Sequence, residues 1–177
     1  MTRPIDHVLL RLAQYDGAPI RLMEVCGTQT AEISRHGLRH LLPPGIQMIS
    51  GPGCPVCVTQ VGFIDEAVYL ALECGVTICT FGDLVRVPGT EMSLAGAREK
   101  GAKVRIVYSP VDAEQYAKDH PEEQVVFLAV GFETTTPASC LAVRKASEDG
   151  LTNFALLVAN KTMPGAYAAL KGSADVF

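Results

Sequence analysis

Cys26, Cys54 and Cys57 have the spacing and framing of a thiolate site. Cys54 and Cys57 lie in Gly51-Pro52-Gly53-Cys54-Pro55-Val56-Cys57, where two glycines and two prolines within seven residues dictate a fixed, irregular loop. The loop precedes a predicted helix. The unpaired N–H groups and partial positive charge of a helix N-terminus favour a thiolate over a thiol. The thiolate is the species that binds metal or attacks a disulfide. Cys26 opens Cys26-Gly27-Thr28-Gln29-Thr30 at the end of the preceding predicted strand. Gly27 permits close approach of backbone or ligand, and Thr28, Gln29 and Thr30 add hydroxyls and an amide. Three soft ligands suit iron or zinc. A closed structural zinc site normally takes four protein ligands, and three thiols are grouped here. Cys54 and Cys57 alone would also serve as the redox pair of a thiol–disulfide oxidoreductase, which needs no metal.

The other cysteines carry weaker signals. Cys74 falls at a predicted helix end, Cys79 inside a strand and Cys140 on an apolar helix face, so all three are expected in the core. His36 and His40 are one helical turn apart but share their segment with Arg35 and Arg39, as a solvated face would. A second polar cluster, Gly131-Phe132-Glu133-Thr134-Thr135-Thr136-Pro137, combines a carboxylate with three hydroxyls. Thr136 is accounted for as a helix cap, and the remainder suits a polar rim on a cleft. Asp83, in Phe81-Gly82-Asp83, suits either such a rim or a simple turn.

These segments fall at the carboxyl ends of predicted strands, where open α/β sheets place their sites. Strands are expected at Ile20–Val25, Ile46–Ser50, Val76–Thr80, Val104–Tyr108, Val125–Val130 and Phe154–Val158, as continuous apolar runs of the kind covered on both faces. Helices are expected at Ile5–Tyr15, Thr30–Leu42, Thr59–Glu73 capped by Thr59, Glu91–Lys100 capped by Thr90, Pro110–Lys118, a segment from Thr136 to Asp149, and Pro164–Gly172. The alternation predicts an α/β fold of parallel, Rossmann-like sheets with right-handed crossovers. The loop-like stretch 81–90 suggests two halves, residues 1–89 with the cysteines and residues 90–177 with the Glu133 loop. If the first three strands share one sheet, their loops crowd one edge.

Bulk properties narrow the class. The chain has 177 residues, 48% hydrophobic and 19% charged, which is enough for a buried core and unlike a disordered protein. A net charge of −4 without a basic run gives no surface for nucleic acid or an anionic membrane. No apolar run spans a bilayer and the N-terminus does not read as a signal peptide, so a cytoplasmic protein is expected. A reducing cytosol argues against a disulfide framework for its six cysteines.

The motifs MEVCGTQT, LLPPGIQMISGPGCPVCVT, FGDLVRVPGT and VGFETTTPA, in that order, resemble the HypD family of [NiFe]-hydrogenase maturation proteins. The resemblance implies two α/β domains with a cleft between them, and an assembly scaffold rather than a turnover enzyme. Such a scaffold, with a HypC-type small chaperone, holds the iron of an Fe(CN)2(CO) unit. A HypE-type partner donates the cyanide, and the unit passes to the hydrogenase large subunit. Cys26 matches the proposed iron ligand. Cys54 and Cys57 match a pair implicated in iron binding or thiol redox work. Gly27 and Thr28, with Gly131, Phe132, Glu133, Thr134 and Thr135, match residues facing the cofactor cleft.

Two departures stand out. The family pattern CGTHT is CGTQT here, and Gln29 cannot relay protons as an imidazole does. The cysteines that hold a [4Fe–4S] cluster in the C-terminal part of family members have no counterpart here, and the chain reads as C-terminally short. A diverged fragment that retains only partner binding is therefore a further reading.

Overall fold

The computed structural model describes residues 4–51 and 53–171. The chain forms two compact units, one ending at Cys54 and the other starting at Pro55. Both are α/β with parallel strands, as the alternation predicts.

In the first unit α1 (Pro4–Ala13) precedes β1 (Ile20–Glu24), α2 (Gly27–Arg35), α3 (Leu38–Leu41) and β2 (Ile46–Ser50). β1 and β2 pair in parallel, in register from Ile20 opposite Ile46 to Glu24 opposite Ser50. The helix expected over 30–42 is two helices. Gly37, at φ 61°, takes the left-handed conformation that ends the first, where a side chain would be strained. β1 departs from the expectation of a strand covered on both faces, since Ile20 and Leu22 are exposed.

The second unit contains α4 (Val61–Leu72), β3 (Thr77–Thr80), a 3₁₀ turn (Leu84–Arg86), α5 (Leu94–Glu99), β4 (Val104–Ile106), α6 (Pro110–Asp119), β5 (Val125–Ala129), α7 (Thr136–Glu148), β6 (Phe154–Val158) and α8 (Met163–Lys171). The last residue of the helix expected at the C-terminal end, Gly172, lies outside the described residues. The strand order is β4-β3-β5-β6. Alternation along the central strands separates two cores. Ile78 and Leu128 pack with Ile64, Ala67 and Ala71 of α4 and Leu94 of α5. Cys79 and Phe127 pack with Ala113 and Ala117 of α6. Phe81 meets Phe127 edge-on, with centroids 5.4 Å apart.

The stretch 81–90 falls inside this second unit, because β3 hydrogen-bonds to both β4 and β5. Its Pro-Gly-Thr is explained by α4. The Thr90 N–H and hydroxyl both donate to the Asp65 carboxylate at 2.6 Å, and this holds the carboxyl below its ordinary range. A Cβ on Gly89 would lie 2.5 Å from Asp65 Oδ1 and 2.6 Å from the Met92 carbonyl, so only glycine fits. Thr90 is thus not a helix cap, and Ser93 caps α5 instead. Gln60 rather than Thr59 precedes α4, and Thr135 rather than Thr136 precedes α7. Cys79 is buried as expected, and burial pushes its thiol up to about 11, which keeps it protonated. Cys74 and Cys140 are exposed, contrary to expectation. One sits just beyond α4, and the other points away from the face of α7 that buries Ser139, Ala142 and Ala146.

Two carboxylates, one buried and one partly exposed, organise the α6 face. Glu114 is fully buried, with Oε2 held by Lys145 Nζ at 2.6 Å and Oε1 without a partner. Glu123 accepts from the Thr77 hydroxyl, from Lys103 at 3.0 Å and from Tyr116 at 3.2 Å. These bonds, led by Thr77, hold its carboxyl below the ordinary 4.5.

Glu114 is fully buried while Lys145 is half-exposed, so removing Lys145 strands a buried charge. Lys145→Met is expected to destabilise the chain by about 3–5 kcal/mol, measured by urea unfolding. Glu123 binds a proton less readily in the folded state, so its contribution is complete above its ordinary value and fades as pH falls through the depressed one. Glu123→Gln is expected to flatten the fall in stability as pH drops below the ordinary carboxyl range, read by unfolding at stepped pH.

Candidate thiolate site

β1 ends at Glu24, and two residues later Cys26 begins a helix. Cys26 is extended (φ −147°, ψ 125°) and is the N-cap of α2, where its carbonyl accepts the Thr30 N–H at 2.9 Å. The sequence placed Cys54 and Cys57 at a helix start. In the structure Val58, Thr59 and Gln60 separate Cys57 from α4, and Cys26 is the cysteine at a helix N-terminus. The N–H groups there favour negative charge.

The two strand ends of the first unit are locked together. The Gly51 N–H continues the ladder by donating to the Glu24 carbonyl at 2.8 Å. Two residues on, a Cβ on Gly53 would lie 1.7 Å from the Val25 carbonyl oxygen and 2.5 Å from its Cβ. No side chain fits in that space, although the Gly53 backbone angle is one any residue can adopt. Gly53 precedes Cys54 and Val25 precedes Cys26, so these cysteines branch from neighbouring, touching backbones. Both are partly buried with free thiols. Cys57 is exposed and belongs to the second unit. It lies in a turn over residues 55–58 that is closed by the Thr59 hydroxyl donating to the Pro55 carbonyl at 2.8 Å.

Behind Cys26 lies a charged cradle that the motif reading did not single out. Glu24 is 7% exposed. The Thr30 hydroxyl is 2.8 Å from both of its carboxylate oxygens and 3.1 Å from the Cys26 carbonyl. Arg39 donates to the Ser50 hydroxyl at 2.7 Å and stands 3.8 Å from Glu24. The hydroxyls of Ser50 and Thr30, the Cys26 backbone and Arg39 hold the Glu24 carboxyl below its ordinary value, against the opposing effect of burial. A carboxylate inside the apolar run IRLMEV is the signal that marks it in the sequence.

Around Cys26, Gly27 faces open space. Thr28 lies in the first turn of α2, and Gln29 is exposed beside it. Among the described residues no group of three or more His, Cys, Asp or Glu side chains is arranged to hold a metal ion. β3 belongs to the second sheet, so Phe81-Gly82-Asp83 does not share the β1–β2 edge.

The Gly131–Thr135 loop, at the end of β5 in the second unit, is largely occupied with itself. The Thr135 and Thr136 hydroxyls both donate to the Phe132 carbonyl, at 3.0 and 3.1 Å. A Cβ on Gly131 would lie 1.8 Å from Thr135 Oγ1. Glu133 Oε1 accepts the Met163 N–H at 2.7 Å, at the start of α8.

Gly53→Ala is expected to cost roughly 1–3 kcal/mol in chemical denaturation, because a β-carbon must displace the Val25 carbonyl. Gly27→Ala, which meets no atom, is expected to stay within about 0.5 kcal/mol of the parent.

The chain matches the HypD family, described as "Hydrogenase formation hypA family", over residues 4–176. It is 46% identical over 166 residues to hydrogenase maturation factor HypD of Rhodobacter capsulatus, covering 92% of this chain and 44% of that protein. The factor of the same name from Rhizobium leguminosarum bv. viciae is 48% identical over 155 residues, 87% of this chain and 40% of that one. The Escherichia coli (strain K12) factor is 48% identical over 136 residues, 77% and 36% respectively. The chain therefore spans less than half the length of these curated relatives. With matching motifs, parallel α/β units and this level of identity, the chain belongs to the HypD family.

Proposed function

We propose that the chain acts in hydrogenase maturation as a scaffold that holds iron through Cys26 and Cys54, with Cys57 available from the adjoining turn. The observation that supports this reading is the Gly53–Val25 contact, which lies one residue before each of Cys54 and Cys26. Two thiolates are soft donors that retain iron. Cyanide, carbon monoxide and a chaperone thiol would complete the coordination of an Fe(CN)2(CO) cargo. The buried Glu24 carboxylate adds negative charge behind Cys26, which favours a cation over an empty pair of thiolates. Gly27 leaves room for the cargo beside Cys26.

The partners implied are a HypC-type small chaperone and a HypE-type cyanide donor, and the compartment is the cytosol. No described helix is long and apolar enough to cross a membrane. A [4Fe–4S] cluster, if the assembly uses one, would be supplied by residues beyond the matched portion of the relatives.

A second reading has a specific observation in its favour. Cys57 is exposed in the turn over residues 55–58 and follows Cys54 by three residues in the chain, the spacing of a dithiol–disulfide couple. The readings divide at Cys26. After anaerobic loading with ferrous iron and the small chaperone, Cys26→Ser is expected to lose at least about tenfold in iron affinity and to lose the infrared bands of bound cyanide and carbonyl. A dithiol oxidoreductase would be untouched by that substitution and abolished by Cys57→Ser. Unchanged iron retention in Cys26→Ser would reject the scaffold reading.

A further inference from the structure

The N-terminus of α2 lacks the side-chain cap usual at that position. An N-cap is normally Ser, Thr, Asp or Asn, whose side-chain oxygen accepts an unpaired N–H of the first turn. Here the N-cap is Cys26, and its side chain makes no capping bond. Its thiol is free. Gly27, the next residue, would meet no atom within 4 Å if it carried a β-carbon. Neither Cys26 nor Gly27 therefore fixes the passage from β1 into α2 through its own side chain.

A side-chain bond joins the two ends of this passage. Glu24 is the last residue of β1, and Thr30 lies one turn into α2. The Thr30 hydroxyl is 2.8 Å from each Glu24 carboxylate oxygen and 3.1 Å from the Cys26 carbonyl. A hydroxyl has one proton, and an ionised carboxylate is the strongest acceptor within its reach, so the proton goes to Glu24. The Cys26 carbonyl takes the Thr30 N–H instead, at 2.9 Å. Thr30 thus grips Cys26 through its backbone and Glu24, two residues before Cys26, through its side chain. Glu24 is itself held. It is buried, and the Ser50 hydroxyl and the Cys26 backbone bond to the same carboxylate. Arg39 donates to Ser50 at 2.7 Å, which leaves the Ser50 proton for Glu24.

The stabilisation that a capping side chain gives a helix end has moved from the N-cap to the residues that flank it. A serine or aspartate at position 26 would be occupied by the helix, whereas the Cys26 thiol is not. We propose that Thr30 is a positioning residue of the thiolate site: its hydroxyl, clasped to Glu24 across the turn, fixes the backbone that carries Cys26 and leaves the thiol to a metal ion. The role rests on the scaffold reading and adds to it a residue that touches no metal.

The test loads the full chain, reduced and anaerobic, with ferrous iron alone, and reads its affinity by competition with a chelator. Amide hydrogen exchange of the metal-free chain is followed in parallel. Thr30→Val removes the hydroxyl and keeps the branched shape. It is expected to weaken iron by at least about tenfold and to speed exchange at the Cys26 and Thr30 amides by about tenfold. Thr30→Ser, which keeps the hydroxyl, is expected to stay within about threefold of the parent in both. Thr30→Ala, which gains helix propensity as it loses the hydroxyl, takes the place of the valine variant if that does not fold. Asp65→Asn is the control, because it weakens a similar carboxylate–threonine clasp in the second unit. It is expected to lower the urea midpoint without changing iron affinity or exchange at Cys26. Parent-like iron affinity in Thr30→Val, beside a loss in Cys26→Ser, would overturn the positioning role and leave the scaffold reading standing. Parent-like affinity in Cys26→Ser would overturn the scaffold reading, and the positioning role with it. An equal loss in Asp65→Asn, or no recovery in Thr30→Ser, would reduce Thr30 to a general contributor to stability and overturn the assignment.

Discussion

Where β2 leaves its sheet, the chain passes so close to the Val25 carbonyl that a β-carbon at position 53 would sit 1.7 Å from it. Everything distinctive about the first unit follows from that approach. The parallel ladder from Ile20–Ile46 to Glu24–Ser50 sets the two strand ends side by side. The Gly51 N–H extends the ladder by one bond, and Gly53 then packs against the Val25 carbonyl, one residue before Cys54 and Cys26 respectively. Parallel pairing alone would align the strands. The glycine keeps their outgoing loops together instead of letting them diverge.

The charged cradle fits the same constraint. Glu24 sits on the last residue of β1, buried and ionised, and both flanking segments supply donors to it: Thr30 from α2, Ser50 from β2, and Arg39 through its charge. A buried carboxylate is tolerated only when its oxygens are satisfied. Its partners therefore tie α2, α3 and β2 to the residue just behind Cys26. The second unit obeys separate rules, with a core on each face of its sheet and a Gly131–Thr135 loop that folds on the Phe132 carbonyl.

Much of this was legible from residue types. The apolar runs gave all six strands within a residue or two, and the strand-end position of Cys26, Cys54 and the Glu133 loop follows from the alternation. Cys79 was legible as core because it sits in an unbroken β-rich run. The errors share a physical origin in local capping and turn chemistry, which several nearby residues can satisfy. Thr90 looked like a cap but bonds Asp65, from 25 residues earlier in the chain. Gly37 split one helix into two. Cys74 and Cys140 looked apolar by context, yet one lies past the end of α4 and the other on the outer face of α7. Membership of β3 in the second sheet depends on pairing partners distant in the chain, which no local pattern encodes. Glu24 was visible only as a charge in an apolar strand, and its role required the register opposite Ser50.

The pairing of Cys26 with Cys54 is the claim on which the functional reading stands. Short bis-electrophilic cross-linking of the reduced chain carrying Cys57→Ser, with the linked peptides identified by mass spectrometry, tests it without iron or partners. The account predicts a dominant intramolecular link between Cys26 and Cys54. Separate modification of the two thiols, with no such link in a folded chain, would contradict it.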